Sequence, residues 1–192
     1  MSLDLVVVYG SVRSARQGIK LARFLVGQIA ARGHQPHLID PLAFRLPLLE
    51  RMYKEYPKGE APPPLEDIAS LLRRADGFLI VSGEYNHGIP PALKNLLDHF
   101  LEEWFWRPSA IACYSAGMFG GVRAAMQLRP TLAELGMPSI PTIYPVPKVG
   151  SQFDDEGNAL DPAHERRVGR FLEEFAWYAN ALKTARSGGV PY

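Results

Sequence analysis

The chain has 192 residues, with 21 Lys and Arg against 20 Asp and Glu, a formal net charge of +1, and 47% hydrophobic residues. That length suits one domain with a sizeable core, and the near-neutral charge argues against bulk electrostatic binding to nucleic acid or to an anionic membrane surface. A single cysteine, Cys113, excludes an internal disulfide and any paired-cysteine redox or zinc site. The first residues, Met1-Ser2-Leu3-Asp4, lack the basic and apolar stretches of a signal peptide, and no apolar run approaches membrane-spanning length. A cytoplasmic location is therefore expected.

Leu5 to Tyr9 is a continuous apolar, β-branched run ended by Gly10, the pattern of a buried parallel strand. Residues 17 to 32 then place Ile19, Leu21, Ala22, Leu25, Val26 and Ile29 at helical spacing, with Gly33 as the stop. Pro36 to Ile39 reads as a short second strand. Residues 41 to 64 are rich in proline and glycine and hold little regular pattern, so a lid or binding loop is expected there. A helix follows over Leu65 to Arg74, a third strand over Phe78 to Val81, and a helix over residues 90 to 105 with proline in its first turn. Ala110 to Tyr114 is a fourth strand, and a Gly-rich turn at 115 to 121 opens a helix through about Leu135. Ser139 to Tyr144 reads as a fifth strand, placed at a sheet edge by Pro138, Pro141 and Pro145. Pro162 to Lys183 is the last helix, and Thr184 to Tyr192 is expected to be a mobile tail.

Strands and helices alternate throughout, which implies a parallel sheet covered by helices on both faces. Right-handed crossovers leave few topologies. Five strands suit a flavodoxin-like, doubly wound α/β sheet of order 2-1-3-4-5 in a three-layer αβα sandwich, here a single domain over residues 1 to 183.

In such a sheet, ligands bind at the carboxyl ends of the strands, so the three turns after the first, third and fourth strands carry the functional content. The first contains Ser11, Arg13, Ser14, Arg16, Gln17 and Gly18. A phosphate there would meet amides at a helix N-terminus, two hydroxyls and two guanidinium forks. The plain alternative is a solvated turn whose serine caps the helix. It is not a Walker loop, because no Gly-Lys-Ser/Thr follows, nor a Gly-x-Gly-x-x-Gly dinucleotide loop. A single terminal phosphate, and so a mononucleotide, suits it best. The second turn, Glu84-Tyr85-Asn86-His87-Gly88, offers an aromatic face, amides and backbone donors of the kind a planar heteroaromatic ring needs. Against this, Tyr85 would serve equally as a packing aromatic and Asn86 as a turn residue. His87 reads as a polar contact more than as a general acid. Lys94 and Asn95 either hydrogen-bond back to this loop or face solvent.

These segments resemble the NAD(P)H-dependent FMN reductase family, which includes quinone, azo-dye and chromate reductases. The resemblance rests on Gly10-Ser11-Val12-Arg13, on Glu84-Tyr85-Asn86-His87-Gly88-Ile89-Pro90 with Leu93-Lys94-Asn95, and on Ser115-Ala116-Gly117-Met118-Phe119-Gly120-Gly121. It covers roughly residues 3 to 145. Gly83 stands where that family usually carries proline, and Arg16 and Gly18 stand where many relatives carry serine and asparagine. The resemblance implies that FMN is the cofactor and NADPH or NADH the co-substrate. It implies that Ser11, Arg13, Arg16 and their neighbours hold the FMN phosphate, that Glu84 to Gly88 line the isoalloxazine edge, and that Ser115, Ala116 and Gly117 close the other side. Relatives are usually dimers or tetramers, so a homo-oligomer is expected, and the aromatic run Trp104-Phe105-Trp106 is either core or a subunit contact.

The implied reaction passes hydride from the nicotinamide through FMN N5 to a quinone-like or other small acceptor in ping-pong order, without a dedicated acid or base. The competing expectations are a flavodoxin-like electron carrier, against which the near-neutral charge argues, and a flavin-binding protein without turnover. The scattered histidines form no metal set, Cys113 reads as an inert core thiol, and Ser115 has no base to make it a nucleophile. Arg45, Arg51 and Lys54 in the proline-rich segment are candidates to border the nicotinamide nucleotide.

Overall fold

The computed structural model describes residues 2–192. Its sheet contains β1 (Asp4–Tyr9), β2 (Gln35–Ile39), β3 (Gly77–Ser82), β4 (Ser109–Tyr114) and β5 (Ser139–Val146), in the order β2-β1-β3-β4-β5 with every pair parallel. This is the flavodoxin-like order expected from the alternation of elements. The helices are α1 (Gly18–Ala31), α2 (Pro41–Phe44), α3 (Pro63–Arg74), α4 (Pro91–Asp98), α5 (Val122–Glu134) and α6 (Ala163–Ser187).

Period-two alternation sends neighbouring residues of the central strands into two separate cores. Leu5, Val7 and Tyr9 of β1 pack under α1 and α6, where Leu21, Leu25, Phe171 and Phe175 are buried. Val6 and Val8 face α3, α4 and α5, where Ile68, Leu72, Leu96 and Leu128 are buried. Burial on both faces explains why β1 and β3 read as unbroken apolar runs. It also holds the carboxyl ends of β1, β3 and β4 side by side at one rim. β5 is the edge strand anticipated from its prolines. Its register slips beside Ser109 and Ile111, and Arg129 donates to the carbonyls of Ile140 (3.2 Å) and Pro141 (2.6 Å) there.

Three boundaries differ from the sequence expectation. The helix expected over 90 to 105 ends at Asp98, and a separate 3-10 turn covers Glu102–Trp104. Phe100 and Trp104 are both fully buried in the core under Phe78, and the Trp104 indole donates to the Leu97 carbonyl at 3.1 Å. Burying both rings redirects the chain, so tertiary packing overrides the helical pattern, and Trp104 belongs to the core. The segment 41 to 64 carries more structure than its composition suggested. Asp40 caps α2 through the Leu42 amide (3.0 Å), and Asn95 grips the segment with its carbonyl on the Leu49 amide (2.9 Å) and its amide on the Pro47 carbonyl (2.8 Å). Finally, α6 runs to Ser187, so Thr184 to Ser187 are helical, and Tyr192 packs edge-on against Phe105 and Trp106.

Candidate functional site

The first turn, residues 10 to 17, leaves β1 at Gly10, where a side chain would collide with Leu93 of α4. Ser11 is buried, whereas Val12, Arg13, Ser14, Ala15 and Gln17 face solvent. Among the described residues, the Arg13 guanidinium and the Ser14 hydroxyl have no protein partner, and the amides of Val12, Ser14 and Ala15 have no backbone or side-chain acceptor. The Arg13 amide points at the Ser11 hydroxyl (3.4 Å). The turn is therefore a row of free donors at the N-terminus of α1, with no carboxylate inside it. Such a set matches a phosphate dianion and nothing cationic.

Arg16 is placed differently from Arg13. Both of its terminal nitrogens face the Asp40 carboxylate, one of them at 2.6 Å, and it also donates to the Ser11 carbonyl (3.3 Å) and lies 5.3 Å over the Tyr9 ring. The Asp40 carboxylate, first among the causes, raises the Arg16 pKa above its ordinary value. Arg16 thus ties the end of β2 to the phosphate-type turn and fixes its shape. Gln17 reaches back to the turn at Val149–Ser151, its Cγ 3.7 Å from where a Gly150 Cβ would stand.

The second turn is a tight two-residue hairpin. Tyr85 and Gly88 exchange both backbone hydrogen bonds, at 3.1 and 2.8 Å, and the residues between them, Asn86 and His87, have φ of 50° and 65°. This is the geometry of a type I′ turn, which asparagine tolerates and which aims backbone groups outward. Tyr85, Asn86 and His87 are exposed at the rim. Glu84 faces the other way. Its carboxylate accepts from the Arg123 amide (3.1 Å), the Ala124 amide (3.3 Å) and the Arg123 guanidinium (3.4 Å), so it caps the N-terminus of α5. Gln127 completes the anchorage by donating to the His87 carbonyl at 3.0 Å. Lys94 pairs with Asp98 and Asn95 with residues 47 to 49, so neither turns back to this loop.

The third turn is shaped by Ser115. Its hydroxyl accepts from the Gly120 amide (2.9 Å) and donates to the Gly117 carbonyl (3.0 Å), which also accepts from the Lys148 amide (2.9 Å). Gly121 has φ 79°, and a Cβ there would sit 2.7 Å from the Tyr114 carbonyl, so only glycine fits. Ala116 and Gly117 lie open at the rim beside the exposed Met118 and Phe119.

Tyr9, Tyr114, Asp40 and Arg123 belong to no motif in the sequence; Tyr9 and Tyr114 end strands, Asp40 and Arg123 lie at helix starts, and only their contacts with the turns single them out. Cys113 is fully buried, and burial followed by the nearby Glu84 charge pushes its thiol up to about 12, which leaves it inert at neutral pH. Among the described residues no group of His, Cys, Asp and Glu could hold a metal ion, and no helix is long and apolar enough to cross a membrane.

A doubly wound sheet with an amide-lined first turn and two further turns presented at the same rim defines a mononucleotide-binding protein of flavodoxin-like fold. The family model for NADPH-dependent FMN reductases matches residues 3–150, and the chain belongs to that family. It is accordingly a flavoprotein oxidoreductase, with FMN as cofactor and a reduced nicotinamide nucleotide as co-substrate. Among its relatives, a quinone reductase of Pseudomonas putida is 30% identical over 182 residues, covering 88% of this chain and 91% of that protein. A 2-hydroxy-1,4-benzoquinone reductase of a Burkholderia species is 29% identical over 183 residues, covering 92% and 96%. The solved structure of the flavoenzyme NAD(P)H:(acceptor) oxidoreductase FerB from Paracoccus denitrificans shares the fold, with a TM-score of 0.77 at 21% identity over 93% of this chain and 98% of that one.

Proposed function

We propose that this protein carries two electrons from NADPH or NADH to a quinone-like or other small acceptor, the two substrates taking turns at one open face of the rim. The observation that carries this reading is the contrast in donor status around the three turns. Arg13, Ser14 and the amides beside them are free to hold the FMN phosphate, together with Ser11 and the N-terminus of α1 opened by Gly18. The hairpin Tyr85–Gly88 and the open Ala116–Gly117 stretch offer flat, sterically clear flanks for the ring.

Arg16 and Glu84 support this cradle from behind. Arg16 keeps Asp40 neutralised, so no uncompensated carboxylate faces a bound phosphate. Glu84 holds the ring hairpin against α5, and Ser115 fixes the path of the third turn. When bound, FMN supplies a group that accepts hydride at N5 and returns two electrons. The chain itself binds and orients the substrates and leaves one ring face uncovered. His87 is exposed at the hairpin tip and has no partner to its imidazole among the described residues, which suits a contact to substrate or solvent. No buried acid or base is required. One face serving both substrates gives ping-pong kinetics. In this reading the segment 41 to 64, held by Asn95 at Pro47 and Leu49, borders the nicotinamide nucleotide through Arg45, Arg51 and Lys54, and the functional unit is a cytoplasmic homo-oligomer.

The test is direct. Purified protein should be yellow or reconstitute with FMN, and anaerobic NADPH or NADH should bleach the flavin at a rate that a quinone then reverses. Protein that never takes up FMN sinks the cofactor assignment. Bound flavin that stays oxidised with both nucleotides sinks the reductase assignment. Initial rates giving intersecting instead of parallel double-reciprocal lines would sink the ping-pong order.

A further inference from the structure

Tyr114, the last residue of β4, lies between two glycines from different turns. A Cβ on Gly18, where the phosphate-type turn enters α1, would overlap the Tyr114 ring. A Cβ on Gly83, where β3 opens into the ring hairpin, would sit 3.2 Å from Cζ and Oη of the same ring. The backbone of Gly83 does not occupy the left-handed region, so its conformation does not demand glycine. Space does. Any residue with a Cβ at position 83 meets the Tyr114 ring.

The half-buried ring has little room to move. Gly18 blocks one side, and the backbone of Tyr114 is itself crowded by Gly121, whose absent Cβ would come within 2.8 Å of its nitrogen. The hydroxyl faces that of Tyr9 at 3.4 Å, the two rings are stacked at 6.5 Å, and the Tyr9 ring carries Arg16 above it. Desolvation by burial is the first cause that raises the Tyr114 pKa, so the phenol stays neutral. We infer that Tyr114 is a positioning residue: its ring is a spacer, sandwiched between Gly18 and Gly83, that sets the distance between the phosphate turn and the ring hairpin. Gly83 is the matching vacancy that lets the spacer in. This rests on the FMN reading above and deepens it.

A spacer has a signature that a general packing role lacks. FMN spans both turns, so its two ends bind as linked halves whose joint affinity depends on how well the separation of the sites matches the ligand. Riboflavin, without the phosphate, engages the ring hairpin alone. The experiment titrates the apoprotein with FMN and with riboflavin, reading flavin fluorescence, for wild type, Gly83→Ala, Tyr114→Phe, Tyr114→Ala and Gly83→Ala/Tyr114→Ala. Gly83→Ala is expected to lower the FMN-over-riboflavin preference about tenfold, because linked affinity is lost when the geometry no longer spans both sites. Tyr114→Phe keeps the ring and should keep the preference. Tyr114→Ala should lower it as well, and in that background Gly83→Ala should cost less than about twofold more, since coupled neighbours are non-additive. Equal losses for FMN and riboflavin, no loss at all, or a Gly83→Ala effect of the same size in both backgrounds would each overturn the spacer. If Tyr114→Ala does not fold, Tyr114→Leu takes its place in the same cycle. Wild-type protein that binds neither flavin refutes the cofactor reading instead, so the two failures are distinct.

Discussion

At the amino-terminal end of the sheet, the buried Asp76 carboxylate accepts from the Asp4 amide (3.0 Å), Lys183 (2.7 Å) and Arg186 (3.1 Å). Nearby, Arg107 donates to the carbonyls of Arg73 (2.7 Å), Ala75 (2.6 Å) and Phe105 (2.8 Å). Burial, and then the neighbouring Arg186 charge, bring the Arg107 guanidinium down to about 10. At the carboxyl-terminal rim, Arg13 and Ser14 stand free, and Asn86, His87, Gly120 and Gly121 hold positive φ. The amino-terminal end pairs Asp76 with Lys183 and Arg186 and ties β3, β4 and α6 together, although the buried Glu103 Oε2 and Trp106 Nε1 there have no partner among the described residues and Trp106 has a φ of 63°. The carboxyl-terminal rim differs in that its donors without protein partners among the described residues are exposed. Buried, partnered charge serves the fold, while exposed donors are what the proposed phosphate site requires.

The comparison breaks first at Asp76. Asp76→Ala removes the acceptor shared by the Asp4 amide, Lys183 and Arg186 and should destabilise the fold by about 3 kcal/mol in a denaturant melt, without changing FMN affinity of the folded protein. A loss of FMN affinity with intact stability would erase the division between the two ends. Arg13→Ala should do the reverse. It should weaken FMN binding by about 1.5–3 kcal/mol through loss of a charged hydrogen bond, leave riboflavin binding unchanged, and barely shift the melt. Glu84→Gln removes the charge that caps α5 and should cost about 1 kcal/mol of stability while loosening the ring hairpin, read as faster hydrogen exchange at residues 85 to 88.

A pH effect is expected away from both ends. His164 is buried, with Nδ1 2.7 Å from the Tyr144 hydroxyl and Nε2 3.0 Å from the Gln152 carbonyl oxygen of its side chain. Burial first, and the Arg167 charge second, lower its pKa below the ordinary histidine value. The unfolded chain therefore binds the proton more readily than the folded one. Stability from the neutral imidazole is fully present above the unfolded histidine pKa and is lost as pH falls through the folded value. Unfolding free energy should drop as pH falls below the ordinary histidine pKa of about 6.5, and His164→Gln should flatten that slope. His34, lowered chiefly by burial, accounts for part of the remainder. The smallest effect belongs to Lys94→Ala. Its exposed pair with Asp98 is a helical i,i+4 contact worth about 0.3 kcal/mol, and FMN affinity should not move. A large loss of FMN affinity there would return Lys94 to the site.

The strand order and the rim of three turns were legible in the sequence because both follow from short-range pattern. Unbroken β-branched runs mark strands buried on both faces, and the turns after β1, β3 and β4 then become neighbours by topology alone. The side-chain assignments within those turns were less legible. Arg13 and Arg16 look equivalent in sequence, yet Asp40, which arrives from the end of β2, takes Arg16 and leaves Arg13 free. Glu84 sits in the ring motif, yet its carboxylate belongs to α5, because only the folded sheet brings that helix N-terminus within reach.

What the sequence determined by itself was the fold class, the family and the segments that meet at the rim, since apolar periodicity and local motifs encode them directly. What the tertiary structure decided was which groups are free and which are braces. Asp40 lies 24 residues from Arg16 and Arg186 lies 110 from Asp76, and no local pattern specifies such partners. Gly83 shows the difference most plainly. In the sequence it is one glycine before the ring motif, and in the folded protein a side chain there would press on the Tyr114 ring from β4.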